Sequence, residues 1–284
     1  MKILKVINNN IVSCIDCTGR ESVAMGKGLG FGVRPGMQLC ESKVEKIFHL
    51  ETQSETDRLK NLLASLSEEQ LELCTQIISY ATENLGKTLN PSLYLTLTDH
   101  ICFAISRIKQ GIHFENALLT EVRTFYPKEF AIGKYVIAFI DRKLGIPFPE
   151  DEAASIALHL VNAEFDSSLS ETMKITQALR HILEILRRCP DIVLDETSLW
   201  FDELTVHLKF LVMRVFHNDG EDHPEPEFVE IIRRNYSKEF ACTEKIAEYL
   251  ENQSHHSVSE ENKAYLAVYI HRINNIYVKK EGHS

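Results

Sequence analysis

Nowhere in its 284 residues does this chain hold an apolar run near the roughly 18 residues that a membrane-crossing helix requires. Met1-Lys-Ile-Leu-Lys5 passes at once into the polar Asn8-Asn-Asn10, without the apolar stretch of a signal peptide. The expectation is a cytoplasmic protein with no membrane insertion. Cysteine is too irregular for a disulfide framework. There are seven, an odd number, scattered at 14, 17, 40, 74, 102, 189 and 242, which suits reduced thiols better. Cys14-Ile-Asp-Cys17 is the one close pair, and Cys40 alone does not complete the four ligands of a structural zinc, so no metal is expected. Positive charge is in deficit as well, 31 Lys and Arg against 41 Asp and Glu.

That deficit is unevenly spread. Residues 1–50 carry a net charge of +3 and the remainder −13, so a small basic head precedes an acidic body. A basic head points weakly to a polyanion. The length allows two or three domains, and 44% hydrophobic residues argue for folded cores.

The head reads as β. Short β-prone runs at Ile3–Ile7, Ile11–Ile15 and Glu21–Met25 are separated by Asn8-Asn-Asn10 and Asp16-Cys-Thr-Gly19, both typical of turns. A fourth strand is expected near Ser42–Phe48, after the turn at Arg34-Pro-Gly36. Fifty residues make a poor solitary core, so self-association is expected.

Between the third and fourth runs lies Gly26-Lys-Gly-Leu-Gly-Phe-Gly32. Alternate glycines clear one face for close backbone approach, while Lys27, Leu29, Phe31 and Val33 project from the other. It is not a dinucleotide fingerprint, because Phe31 holds the place of the third glycine and Val33-Arg-Pro-Gly36 cannot open a helix. A cation beside an aromatic suits RNA, the lysine taking phosphate and the ring a base. A glycine-rich hairpin with a core phenylalanine remains open at this point.

The body reads as helices, in duplicate. Ser67-Glu-Glu-Gln70 forms a capping box ahead of the apolar stripe Leu71, Cys74, Ile77, Ile78 and Ala81. Pro149 with Glu150, Asp151 and Glu152 opens another helix, with Ile156, Leu160 and Ala163 on its apolar face. A shift of 110 residues carries Tyr126-Pro-Lys-Glu-Phe130 onto Tyr236-Ser-Lys-Glu-Phe240, and the segment ending at His159 onto the one ending at Tyr269. A shift of 107 carries Leu97-Thr-Asp-His100 onto Leu204-Thr-Val-His207. Ser257-Val-Ser-Glu260 caps the equivalent last helix. Two copies of one α-helical bundle are expected. The stretch from His217 to His223 holds Asp219 and Asp222, and reads as an exposed acidic connection more simply than as a metal loop.

These motifs, in this order, resemble the BglG/SacY/LicT transcriptional antiterminators. Met1-Lys-Ile to Gly32 resembles the family's co-antiterminator RNA-binding domain. Thr98-Asp-His-Ile101, Tyr126 to Gly133 and Pro149 to Ala163 resemble its first phosphotransferase-system regulation domain, or PRD. The second copy resembles the second PRD. The resemblance implies a multidomain chain: a small antiparallel β RNA-binding domain at 1–56, then two all-α helical bundles at 65–170 and 171–284.

It implies a regulator rather than an enzyme, with no cofactor. A homodimer of the head would hold a hairpin of the leader mRNA through Lys5, Asn10, Gly26, Lys27, Gly28, Gly30 and Phe31. Relatives often carry Arg at position 27; Lys keeps the charge without the planar fork, so phosphate contact carries over more safely than base recognition. Phosphotransferase enzyme II of a sugar permease, and the general carrier HPr, would phosphorylate His100 and His159 in the first PRD and His207 in the second. Taken singly, each of these reads more simply as a hydrogen-bonded helical histidine; three together in motif register favour phosphorylation. The family's fourth histidine falls where this chain has Tyr269. His271, two residues on, is turned about 200° away and should face elsewhere, with Tyr269 beside His207. A PRD-containing DNA-binding activator is the alternative, but it would open on a helix-turn-helix, not on strands and a glycine-rich loop. Neither a paired-carboxylate site nor a Ser/His/Asp set suggests an activity of its own.

Overall fold

The computed structural model describes residues 1–16, 19–49, 52–87, 89–190, 192–218 and 226–281, with side chains through 274. Cys17 of the close cysteine pair, and the acidic connection from Asp219 to His223, lie outside them.

Four strands form one antiparallel sheet in chain order: β1 (Lys2–Asn8), β2 (Ile11–Ile15), β3 (Glu21–Met25) and β4 (Lys46–Phe48). Asn8 pairs with Ile11 across the first hairpin, and the Asn8 side chain accepts from the Asn10 N–H at 2.9 Å, so asparagine makes this turn. The fourth strand is shorter than expected, because Glu41–Lys43 forms a 3-10 turn first. The central strand β2 is buried on both faces. Ile3, Val12, Cys14, Ala24, Leu29 and Leu39 make one small core. On the other face Ile11, Val23, Met25 and Phe48 join a larger core with Leu59 and Leu63 of the first helix. Helix burial therefore supplies what 50 residues alone lack.

That first helix, α1 (Gln53–Ser65), opens on a capping box of Thr52 and Glu55. The next, α2 (Glu68–Leu85), opens on the box of Ser67 and Gln70. Then follow α3 (Leu93–Lys109), α4 (Leu119–Phe125), α5 (Pro127–Leu144) and α6 (Glu150–Phe165). Sheet and helices up to Leu169 make one compact unit. Ile156, Leu160 and Ala163 are buried in it.

The second unit, Ser170–Ser284, holds nearly all of α7 (Leu169–Arg188), then α8 (Leu199–His217), α9 (Pro226–Asn235), α10 (Ser237–Ser254) and α11 (Glu260–Glu281). The cap of α11 is Ser259, whose hydroxyl accepts from the Asn262 N–H at 3.2 Å. Its core includes Ile232, Phe240, Ala264 and Ala267. The reduced-thiol expectation fails here. Cys189, just after α7, and Cys242 on α10 are joined in a disulfide, their Cα atoms 6.0 Å apart. They are 53 residues apart in sequence, and only the folding of α10 back past the end of α7 makes them neighbours.

The duplication persists in backbone detail. Gly111 and Gly145 follow α3 and α5 with positive φ, and the residues 107 and 110 further on, Asn218 and His255, hold the same left-handed conformation after α8 and α10. One contact is particular to the first copy: a Cβ on Gly133 of α5 would lie 2.2 Å from the Ala153 carbonyl oxygen of α6. Gly133→Ala gains about 1 kcal/mol in helix propensity, but overpacking costs about 1–3 kcal/mol. The net should be destabilising, read as a lower urea midpoint for unfolding of the first unit in the full-length chain. A midpoint equal to or above the parent's would show that α6 can shift freely.

Candidate functional site

The glycine-rich loop is tied to the β1–β2 hairpin by three backbone donors. Gly26 N–H donates to the Asn10 carbonyl, Gly28 N–H to the Asn10 side-chain oxygen, and Gly30 N–H to the Asn9 carbonyl, each at 2.9 Å. A Cβ at Gly26 would fall 1.9 Å from the Lys43 carbonyl oxygen, and one at Gly30 would fall 2.1 Å from that of Asn8. These two glycines are needed by the chain's own backbone, whereas the spacing alone pointed to approach by a ligand. Leu29 turns inward and is buried. Lys27 and Phe31 turn outward, and Phe31 is 74% exposed, so it is no core phenylalanine. Asn10, Gly26, Lys27, Gly28, Gly30 and Phe31 thus form one patch. Lys5 stands to the side of it, exposed on β1 opposite Ser13, while its neighbour Val6 packs beneath Gly30.

Sequence reasoning missed what borders this patch. The Asn10 amide nitrogen lies 3.5 Å from the Glu68 carboxylate of α2, and the Lys27 N–H donates to Glu45 at 3.3 Å. These acids line a cleft with Asn10, Gly26 and Lys27. Nothing periodic links residue 10 to residue 68.

His100 on α3 and His159 on α6 come together, ring centroids 4.9 Å apart. Glu152, buried in the first turn of α6, reaches α3, its Oε2 3.1 Å from His100 Nε2 and its Oε1 paired with the buried Arg107 guanidinium. Arg107 also donates to the Ile112 carbonyl at 3.1 Å and lies over the Phe114 ring. Burial raises the Glu152 pKa, but His100 first and Arg107 second more than offset it, so the carboxyl is held below its ordinary range. Burial, with some repulsion from His100, pushes His159 down to about 3 and keeps its imidazole neutral. Arg107 was not singled out from sequence, and Glu152 only as one of the acids that open its helix. A signal existed, since the shift of 107 that relates His100 to His207 also relates Arg107 to Arg214.

In the second copy His207 of α8 stacks on Tyr269 of α11, centroids 3.6 Å apart and planes 26° apart. His271 looks the other way. Its Nδ1 is 2.9 Å from Glu239 of α10, and its ring stacks on Tyr236 at 3.9 Å. His217, ahead of the acidic connection, meets Glu171 at 2.8 Å.

Residues 1–57 match the CAT RNA binding domain family, and residues 75–163 and 180–273 each match the PRD domain family. The chain is 38% identical over 273 residues to the transcription antiterminator LicT of Bacillus subtilis (strain 168), covering 96% of this chain and 99% of that protein. It is equally 38% identical over 273 residues to the beta-glucoside operon antiterminator of Dickeya chrysanthemi, covering 96% of each. The crystal structure of GlcT CAT-PRDI superposes with a TM-score of 0.51 at 34% identity, over 57% of this chain and 97% of that one.

The buried neutral histidine has a consequence in solution. The unfolded chain takes a proton on His159 near 6.5, whereas the folded protein takes it only near 3. Between those values the unfolded state binds more protons, so stability falls as pH falls. Glu152 adds to this only below its ordinary value of 4.5, which leaves pH 7 to 5 to the histidine. Amides of α3 and α6 should therefore exchange faster at pH 5 than at 7, after correction for intrinsic rates, and His159→Gln should remove most of the difference. Equal protection at both pH values in the parent chain would contradict the buried neutral state.

Proposed function

Because this chain belongs to the BglG/SacY/LicT family of transcription antiterminators, built from a CAT RNA-binding domain and two PRD domains, we propose that residues 1–56 bind a leader-mRNA hairpin as a homodimer. We infer that the helical domains at 65–170 and 171–284 control this binding through histidine phosphorylation. It is a regulator and not an enzyme. Binding before a terminator forms would let polymerase read on into sugar-uptake genes. The observation that carries the RNA reading is the outward pair on the glycine loop, a lysine and a phenylalanine 74% exposed beside the Asn10 hairpin. Phosphates would take Lys27 and Lys5, and an unstacked base would lie on Phe31.

No helix among the described residues is long and apolar enough to cross a membrane. The reading places the protein in the cytoplasm, beside the nascent transcript. Phosphotransferase enzyme II of a sugar permease would phosphorylate His100 and His159, and HPr would act on the second PRD. Neutral imidazole is the nucleophile such transfer needs, and His159 is held neutral by burial. Where the family's second PRD has its other histidine this chain has Tyr269, so His207 is left to receive phosphate there alone and dependence on HPr is reduced. Exposed Phe103 and Phe210, 60% and 57%, stand at the same repeat position one turn beyond His100 and His207. They favour helical domains that also meet a second copy.

The test is gel-shift binding of the full-length protein to the leader RNA of its neighbouring operon. Phe31→Ala should weaken binding about 5- to 150-fold, the value of one stacked base at about 1–3 kcal/mol, and Lys27→Ala should weaken it and flatten its salt dependence. Unchanged affinity in a folded Phe31→Ala protein would remove the stacking claim.

Control by the first PRD has its own readout. In a leader-fused reporter without inducing sugar, His100→Ala should raise expression and His100→Asp should keep it low. A His100→Asp protein, present at parental level and fully active without sugar, would reverse the sign.

A further inference from the structure

The two copies differ at one position that decides the charge of their histidine clusters. The shift of 110 that relates His159 to Tyr269 also relates Glu152 to Asn262. In the first copy the carboxylate of Glu152 stands between His100 and Arg107 and contacts both. In the second copy His207, Arg214, Asn262 and Tyr269 line one open cleft of about 250 Å³, with Phe210 and Tyr265 among its walls. Where the first copy fixes an anion, the second presents an amide, its oxygen 3.5 Å from the Arg214 guanidinium. His207 and Arg214 are exposed there, whereas Arg107 is buried.

We propose that this second cleft is built to hold a phosphoryl group on His207, with Arg214 as the cation that binds it, and that the amide of Asn262 in place of a carboxylate makes it accept that group more readily than the first copy's cluster does. The inference rests on the reading of His207 as a phosphorylated residue. A phosphoryl group on imidazole brings a charge of about −1.5 to −2 and three acceptor oxygens. A carboxylate at position 262 would repel that charge and engage the same guanidinium, as Glu152 engages Arg107. An amide repels nothing and can donate to a phosphoryl oxygen. Tyr269 covers a face of the His207 ring at 3.6 Å and leaves the ring edge, where the nitrogens lie, for in-line attack. Partial burial lowers the His207 pKa, with Glu203 opposing, which favours the neutral nucleophile.

The experiment uses the full-length protein and phosphoramidate, a small donor that needs no partner protein. A ring nitrogen of His207 attacks phosphorus, the new P–N bond forms as the donor's P–N bond breaks, and the imidazole proton leaves with the amine as ammonia. Label on His207 is mapped by mass spectrometry under alkaline conditions, with circular dichroism as the check of fold. The parent chain should be labelled at His207. Asn262→Glu should slow labelling at least tenfold, while the uncharged Asn262→Gln should label near the parental rate. Arg214→Gln should slow labelling and shorten the lifetime of the phosphohistidine, and Arg214→Lys should restore part of both. Labelling indifferent to Asn262→Glu and Arg214→Gln would overturn the cleft proposal while leaving His207 as a phosphorylation site. An unlabelled parent chain would overturn both. Equal loss in Asn262→Gln and Asn262→Glu would show that shape rather than charge matters, and would overturn the role given to the amide.

Discussion

The first regulatory domain turns on one buried carboxylate. Removing an ion from water costs several kcal/mol, which only close partners recover. Glu152 recovers it from Arg107 and His100, both on α3, while itself sitting on α6. Removing Arg107 would leave the Glu152 charge poorly compensated in the interior, a loss of about 3–5 kcal/mol. Here the histidine proposed to receive phosphate is also one of the partners that make the helix pair stable. A phosphoryl group on His100 would arrive beside Glu152 and contend with it for Arg107. Modification and helix docking then draw on the same interaction, which is the physical requirement for a switch.

The head solves a different problem by the same economy of partners. Its central strand β2 is covered by one small core and by α1, so the sheet does not depend on alternation to hide its apolar residues. The loop above it is fastened from below through Asn9 and Asn10. With Gly26 and Gly30 pressed onto the Lys43 and Asn8 carbonyls, the outward directions of Lys27 and Phe31 are set before any ligand arrives. A surface arranged in advance avoids the ordering cost of about 0.5–1.5 kcal/mol per side chain that a floppy loop would incur on binding.

Local chemistry was legible in the sequence, and so was duplication. Turn asparagines, β-prone runs and the capping box at Ser67 placed three strands and α2 closely, because each signal acts within a few residues. The constant shifts of 107 and 110 identified two like bundles and set Tyr269 against His207 before any coordinates. What escaped depended on contacts distant in sequence and free of period. Glu152 reaches across 45 residues to Arg107, Cys189 across 53 to Cys242, and Asn10 across 58 to Glu68. Gly26 and Gly30 are close-approach positions, but toward the chain's own carbonyls rather than a ligand, while a Cβ at Gly28 or Gly32 would meet open space and these two instead take positive φ.

Comparing the copies separates what the scaffold demands from what chemistry demands. The left-handed residues after the third and fifth helices persist although Gly111 and Gly145 become Asn218 and His255. Both replacements are among the few non-glycine types that enter this region readily, so the backbone shape was kept at modest cost. Gly133 corresponds to Thr243, which is buried, so the close helix approach of the first copy was not kept. At the histidine cluster the replacements follow neither shape nor helix propensity. His159 becomes Tyr269 and Glu152 becomes Asn262, while the His100 and Arg107 positions remain histidine and arginine in His207 and Arg214. One titratable ring and one fixed anion are gone, and the histidine and the cation stay. A phosphoryl group on His207 would meet an amide at position 262, where one on His100 would meet the carboxylate of Glu152.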